Sequence, residues 1–278
     1  MKDTTPQTDE LARCDRRGDA GPFDIIGDVH GCAGELDALL VKLGYRVQWS
    51  GVPGDARVAV TPPAGRRAVF VGDLVDRGPR SPDVLRIVMS MVEAGTGLCV
   101  PGNHDDKFRR WLDGSNVKAT HGLDRTIAQF ETEPKAFRVA VRNFIKGLPI
   151  YLWLDGGRLA VAHAGLKEEM LGRLSGELRR FCLYGETSGE TDKFGLPIRY
   201  HWAAEYKGAT AIVYGHTPVP DADWVRGTIC IDTGCCFGGK LTALRWPERE
   251  IVSVPAQDIY TMPVRPFGHP PVRPGVVM

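Results

Sequence analysis

The sequence predicts a layered α/β domain, on three observations. Short apolar runs suited to buried strands alternate with segments whose apolar residues recur at helical spacing. Several of those runs stop at a glycine followed by aspartate, asparagine or histidine, residue types that ligate hard and borderline cations. Hydrophobic residues make up 43% of the 278-residue chain, enough for a sizeable core, while the formal net charge is only +1. That balance gives no global field to draw in nucleic acid, and no acidic excess of the kind that keeps a chain disordered.

The elements follow in order. Residues 1–21 are polar and charged and read as a flexible tail. Phe23–Gly27 is a first strand. Ala33–Leu43 is a helix, because Leu36, Leu39, Leu40 and Leu43 share one face and Gly44 stops it. Arg57–Thr61 is a short strand before the Pro62–Gly65 turn, and Arg67–Val71 is a buried strand. Pro82–Glu93 is a helix ended by Gly95, and Gly97–Val100 is a further strand. From about Lys107 to Leu148 the chain is charged and helix-like, an insert whose basic residues suit either a solvated face or a lid over a phosphate. Arg158–Ala162, Ala211–Tyr214 and Thr228–Ile231 read as strands, with a polar, helical or irregular stretch over Glu168–Arg180. Leu241–Trp246 and Ile251–Val254 make a closing hairpin. Residues 263–278 are proline-rich and read as an extended strap, leaving one domain over 22–262.

No apolar run approaches the roughly 20 residues that a membrane span needs, and residues 1–21 lack a secretory apolar core. The seven cysteines include no CxxC pair, and adjacent Cys235–Cys236 suits neither a disulfide nor a zinc knuckle. A reducing, cytoplasmic setting with free thiols is expected. Nothing calls for a membrane or an obligate protein partner.

The chemistry concentrates where strands end. Asp28 and His30 lie two apart on extended backbone, so both reach the same side. Alone, GDVHGC fits a helix cap and a turn as well as a ligand pair. Asp73, with Asp76 and Arg77 close behind, follows the next buried strand; Asn103 and His104 follow another. His163, His216 and Asp232 each come directly after an apolar run. Strand-end loops of a layered sheet share one edge, where ligands bind. The set mixes hard oxygen donors with imidazoles and has no thiolate, which suits Mn²⁺, Fe or Zn²⁺.

Taken in this order, GDVHG (27–31), GDLVDRG (72–78), GNHD (102–105), HAG (163–165) and GHT (215–217) resemble the motifs of the calcineurin-like metallophosphoesterases, and more narrowly their phosphoprotein-phosphatase-type branch. THGLDRT (120–126), the 181–208 block and the 231–254 block are most similar to the phosphatase module of bacterial polynucleotide kinase-phosphatases, with bis(5′-nucleosyl) tetraphosphatases close behind. The resemblance implies two mixed β-sheets packed as a sandwich flanked by helices, with a dinuclear metal site at the strand ends. It implies Asp28 and His30 on a first divalent ion, Asp73 as the bridge, and Asn103, His163 and His216 on the second, with Asp232 joining or lying behind the first. Mn²⁺ is the foremost metal, with Fe, Zn or Ni as alternatives. Arg77 would bind the substrate phosphate, and His104, oriented by Asp76, would protonate the leaving oxygen. The substrate class is then a phosphate mono- or diester of a nucleotide or an RNA 2′,3′ end, attacked by a metal-bridged hydroxide. A dinucleoside tetraphosphatase or a Ser/Thr protein phosphatase is the alternative, and a non-catalytic binding protein would have lost a ligand.

The chain carries no GxxxxGK[ST] loop, since Lys240 is followed by Leu241. No kinase activity is therefore implied, and the chain reads as a free-standing or an excised module, the polar tail favouring the former. Pro101 and Asp105 stand where protein phosphatases usually have arginine and glutamate, which weakens the protein-phosphatase alternative.

Overall fold

The computed structural model describes residues 6–52 and 56–264. Helix α1 (Pro6–Cys14) comes first, followed by strand β1 (Phe23–Ile26), helix α2 (Ala33–Lys42) and a two-stranded ribbon, β2 (Arg46–Ser50) and β3 (Arg57–Thr61). Next are β4 (Arg67–Phe70), α3 (Ser81–Glu93) and β5 (Gly97–Cys99). The insert forms α4 (Asn103–Leu112), α5 (Leu123–Glu131) and α6 (Lys135–Gly147). Then come β6 (Tyr151–Leu154), β7 (Leu159–Ala162), α7 (Gly176–Tyr184) and a hairpin, β8 (Thr187–Thr191) and β9 (Pro197–Arg199). Strands β10 (Ala211–Tyr214), β11 (Trp224–Val225), β12 (Thr228–Cys230), β13 (Lys240–Trp246) and β14 (Glu250–Pro255) complete the order.

Two mixed five-stranded sheets result, in the orders β14-β13-β1-β4-β5 and β11-β12-β10-β7-β6. In each, three neighbouring strands run parallel: β1, β4 and β5 in the first, β7, β10 and β12 in the second. The period of two along the strands explains the layering. Phe23 and Ile25 of β1, Val69 of β4, Leu159 and Val161 of β7, and Val213 of β10 meet in one cluster between the sheets. The alternate residues face outward: Ile26 and Phe70 against α2 and α3, and Ala160, Ala162 and Ile212 toward α7. Phe70 is fully buried, and truncating such a residue to alanine costs about 3–5 kcal/mol. The sandwich flanked by helices agrees with the expected architecture.

Some boundaries differ from the sequence reading. Residues 1–21 do not remain a tail throughout: from Pro6 the chain is helical, Cys14 is buried beside Ile150 and Tyr151, and Asp15 bridges to Trp153. The segment is polar because it buries only a narrow face. Of the expected strap at 263–278, all but the first two residues lie outside the described residues. The insert begins earlier than Lys107, inside the GNHD motif itself. No helix among the described residues is long and apolar enough to cross a membrane.

Candidate active site

All ten singled-out residues converge on one edge of the sandwich, where the parallel strands of both sheets end. The backbone there is unusual. His30, Asp73, Asp76, Arg77 and His216 all have positive φ, between 45° and 74°, a region that costs non-glycine residues energy and persists only where the surroundings enforce it. The glycines preceding the ligands serve close approach rather than flexibility. A Cβ on Gly102 would overlap the Asp73 carboxylate, and one on Gly215 would overlap Asp28 Oδ1. The recurrent Gly-ligand pairing thus lets neighbouring loops touch.

The helix-cap reading of Asp28 fails. Helix α2 has no side-chain cap, and Asp28 Oδ2 instead accepts the backbone N–H of His216 at 3.0 Å, across the two sheets. Val29 turns into the core and Gly31, at φ 67°, makes the turn.

The donor set fits divalent ions, on the state of its lone pairs. His163 Nδ1 donates to the Val71 carbonyl at 3.0 Å, so its bare Nε2 faces the site. That bare nitrogen lies 3.0 Å from Asn103 Oδ1, 3.0 Å from His216 Nδ1 and 3.4 Å from Asp73 Oδ2. Acceptors facing acceptors at this spacing resemble ligands sharing one ion at about 2.1 Å. His30 repeats the logic: Nδ1 donates to Val75 O at 2.8 Å, and Nε2 stands 3.4 Å from the same Asp73 oxygen. Asp73 Oδ2 is therefore common to both imidazoles. A further acceptor, Asp28 Oδ1, is buried without a hydrogen-bond partner, a costly condition that a cation would relieve.

Electrostatics point the same way. Burial pushes the carboxyls of Asp73, Asp76 and Asp232 up to about 7. Burial, then Asp232 and Asp73, raise Asp28 well above the usual carboxylate range. Burial, then Arg77, hold His30 and His104 well below the ordinary imidazole value. Arg77, and Arg199 beside Asp73, His163 and His216, are the cations acting on the four clustered carboxyls, and the burial of these groups leaves the site short of positive charge.

Arg77 and His104 form the other wall. Arg77 Nη1 donates to His30 Nε2 and Nη2 to His104 Nε2 at 3.0 Å, and its guanidinium lies over the Phe237 ring. His104 Nδ1 donates to Asp76 Oδ2 at 2.6 Å, fixing the ring with Nε2 toward the site.

A family model, calcineurin-like phosphoesterase, matches residues 21–220. This chain belongs to the calcineurin-like phosphoesterases. It is 45% identical over 254 residues to the asymmetrical bis(5′-nucleosyl)-tetraphosphatase PrpE of Anoxybacillus flavithermus, covering 88% of this chain and 99% of that one. It is 46% identical over 239 residues to the protein of the same name from a Geobacillus species, covering 84% and 94%. Among solved structures it is similar to one assigned provisionally as a diadenosine tetraphosphatase, with TM-score 0.62 and 24% identity over 88% of this chain and 97% of that one, a likeness of fold.

Several residues of the phosphoesterase escaped the sequence reading. Thr126 is buried; its hydroxyl donates to Asp76 Oδ1 at 2.7 Å and accepts the Asp76 N–H at 2.9 Å. Arg125 donates to the Arg77 carbonyl, and a Cβ on Gly122 would overlap the Arg77 backbone. Helix α5 of the insert thus braces the Asp76–Arg77 loop from behind. Asp105, the acid one carbon shorter than the familiar glutamate, accepts from Leu74 N and Gly102 N, tying the two ligand loops together. THGLDRT carried the only signal: a buried threonine has no period to betray it. Cys32 is buried beside the site, and its thiol, sharing a hydrogen bond with Cys235, is pushed far up.

Proposed function

We propose that this phosphoesterase hydrolyses bis(5′-nucleosyl) tetraphosphates asymmetrically, releasing a nucleoside monophosphate and a nucleoside triphosphate. The observation that carries this is the 45–46% identity to proteins of that name across nearly their whole length. In this reading Asp28, His30, Asp73 and Asp232 hold one divalent ion, and Asp73, Asn103, His163 and His216 hold a second. Mn²⁺ suits the oxygen-and-imidazole donors best. When bound, the pair supplies charge against the phosphoryl oxygens and acidifies a water.

The chain's own groups do the rest. Arg77 offers a planar fork to the phosphoryl oxygens. A water that has given up one proton to solvent bonds through its oxygen to phosphorus as the bridging P–O bond breaks. The electron pair leaves with the triphosphate oxygen, and His104 Nε2 is placed to hand that oxygen a proton. Asp76 keeps the ring in the orientation this needs and favours its charged form, as an incoming phosphate does, against the effect of burial.

A substrate panel tests the reading. With Mn²⁺ supplied, diadenosine tetraphosphate is expected to show the highest kcat/KM, yielding AMP and ATP. The comparison set is p-nitrophenyl phosphate, a ribonucleoside 3′-phosphate, a 2′,3′-cyclic phosphate and a phosphopeptide. Faster turnover of the cyclic phosphate would return the substrate to RNA ends; faster turnover of the phosphopeptide would make the protein a protein phosphatase.

A further inference from the structure

A cleft of about 380 Å³ opens beside the candidate centre, walled by His216, Thr217 and Ala164 on the side of the site. We infer that this cleft is the nucleoside subsite, taking the base and ribose at one end of the substrate while the attached phosphate reaches the centre. The inference rests on the proposed tetraphosphatase reading and adds the location of recognition.

The position comes first. His216 belongs both to the candidate centre and to the cleft wall, so a ligand in the cleft has its nearest atoms beside the donors. The lining comes second. Trp202 and Tyr214 form an aromatic floor, their ring centroids 5.0 Å apart, and Tyr200, Val219 and Val225 close the sides. A purine presents two flat faces to such a surface, and base-on-aromatic stacking contributes about 1–3 kcal/mol. The HAG motif sets this floor: a Cβ on Gly165 would overlap the Trp202 indole, so the glycine after His163 allows the ring to sit against the ligand loop. Other aromatic rings are engaged elsewhere: Trp111 packs on Phe108, Trp153 lies under Arg17, and Tyr206 bonds to Glu168 and Thr210. Trp202, by contrast, lines the cleft.

The polar rim gives the third observation. The rim carries Glu186, Asp221 and Asp223 beside Arg199 and His201. Glu186 is paired with Lys167 at 2.9 Å and Asp221 with Lys240 at 2.8 Å; Asp223 has no ion pair among the described residues. Carboxylates repel a polyphosphate but accept hydrogen bonds from ribose hydroxyls and a base amino group. With His216 shared between the cleft wall and the candidate centre, the phosphates reach the centre and the nucleoside occupies the cleft. The volume lies at the small end of ligand pockets, suiting one nucleoside and not two, so recognition is one-ended.

The test uses the full chain and two variants. Val225→Trp fills the cleft, and Tyr200→Ala removes a wall at a surface position that leaves the core untouched. Each is expected to raise KM for diadenosine tetraphosphate about tenfold. The ratio of kcat/KM for diadenosine tetraphosphate to that for p-nitrophenyl phosphate, which has no nucleoside, should fall by the same factor. An unchanged ratio in both variants would overturn the inference. A separate arm titrates adenosine alone into the metal-free protein, following tryptophan fluorescence: saturable binding lost in Val225→Trp supports the subsite, and its absence from the unaltered protein overturns it. If the unaltered protein turns over p-nitrophenyl phosphate but no dinucleoside tetraphosphate, the proposed function fails, and the adenosine arm still decides the cleft.

Discussion

The first sheet delivers Asp28 and His30, Asp73, and Asn103 with His104 from the ends of β1, β4 and β5, and α2, α3, α4 and α5 close its loops from behind. The second sheet delivers His163, His216 and Asp232 from β7, β10 and β12, and its loops border the open cleft. Both halves have the same parallel core, yet one is packed shut and the other leaves room. Buried Asp76, Asp105 and Thr126 brace the loops of the first side. On the proposed reading the difference is a division of work: the closed half would fix the protonation and orientation of the reacting groups, and the open half would choose which ester arrives. Substitutions in the first should cost turnover on every substrate; those around the cleft should change preference.

Asp73→Ala puts the sharpest strain on that division, because Asp73 touches the imidazoles of both halves. Losing it should lower kcat/KM by at least about 10³-fold for diadenosine tetraphosphate and p-nitrophenyl phosphate alike, and a loss confined to one substrate would break the comparison. Thr126→Val should act more gently. It removes a hydroxyl that both donates to and accepts from Asp76, worth about tenfold in kcat, with KM steady and the acidic limb of the pH profile displaced. Thr126→Ser should restore both, and a change in KM instead would place Thr126 with substrate selection.

The smallest effect concerns stability without metal. Asp73, Asp76 and Asp232 titrate near 7 and Asp105 near 8 when folded, whereas an unfolded aspartate titrates near 3.8. Raised folded values mean stability is lost as pH rises through them. The imidazoles, lowered by burial, act oppositely but only below about 6.5. Chelated protein should therefore melt several degrees lower at pH 8.5 than at pH 6.5, and Mn²⁺ should abolish the difference. A flat melting profile in chelator would show that the carboxyls are not held in this way.

Much of this site is written in the chain because it sits where a run of buried residues stops. FDII, LAVA and AIVY are buried along their whole length and RAVF from its second residue on, so their ends, and the polar residues just beyond, stand out. Elements that lie on the surface do not. RVQWS in β2 has no inward-facing alternation, and the hairpin β8–β9 is short, polar and largely exposed. Helix α1 hides in a charged stretch because Cys14 is its one fully buried residue among those with described side chains. Thr126 shows the remaining gap. Its importance comes from contacts fifty residues away, and only tertiary structure puts it there. The cleft is illegible for the same reason, being built from Ala164, Tyr200, His216 and Val225, which no local pattern groups.

The contact between Asp28 and the His216 backbone, with Gly215 pressed against the same carboxylate, has a bearing on how the protein comes to life. Asp28 is held by a loop that only the second sheet provides, and His163 is aimed by a carbonyl that only the first provides. With one sheet formed, Asp28 and His163 lack the partners that aim them and the donor set is incomplete. Cation capture is thereby deferred until both sheets have closed. Because an ion that prefers the closed state adds stability in step with its concentration, by about 2.7 kcal/mol at a hundredfold excess over its dissociation constant, the amount of intact protein becomes a gauge of the metal supply around it.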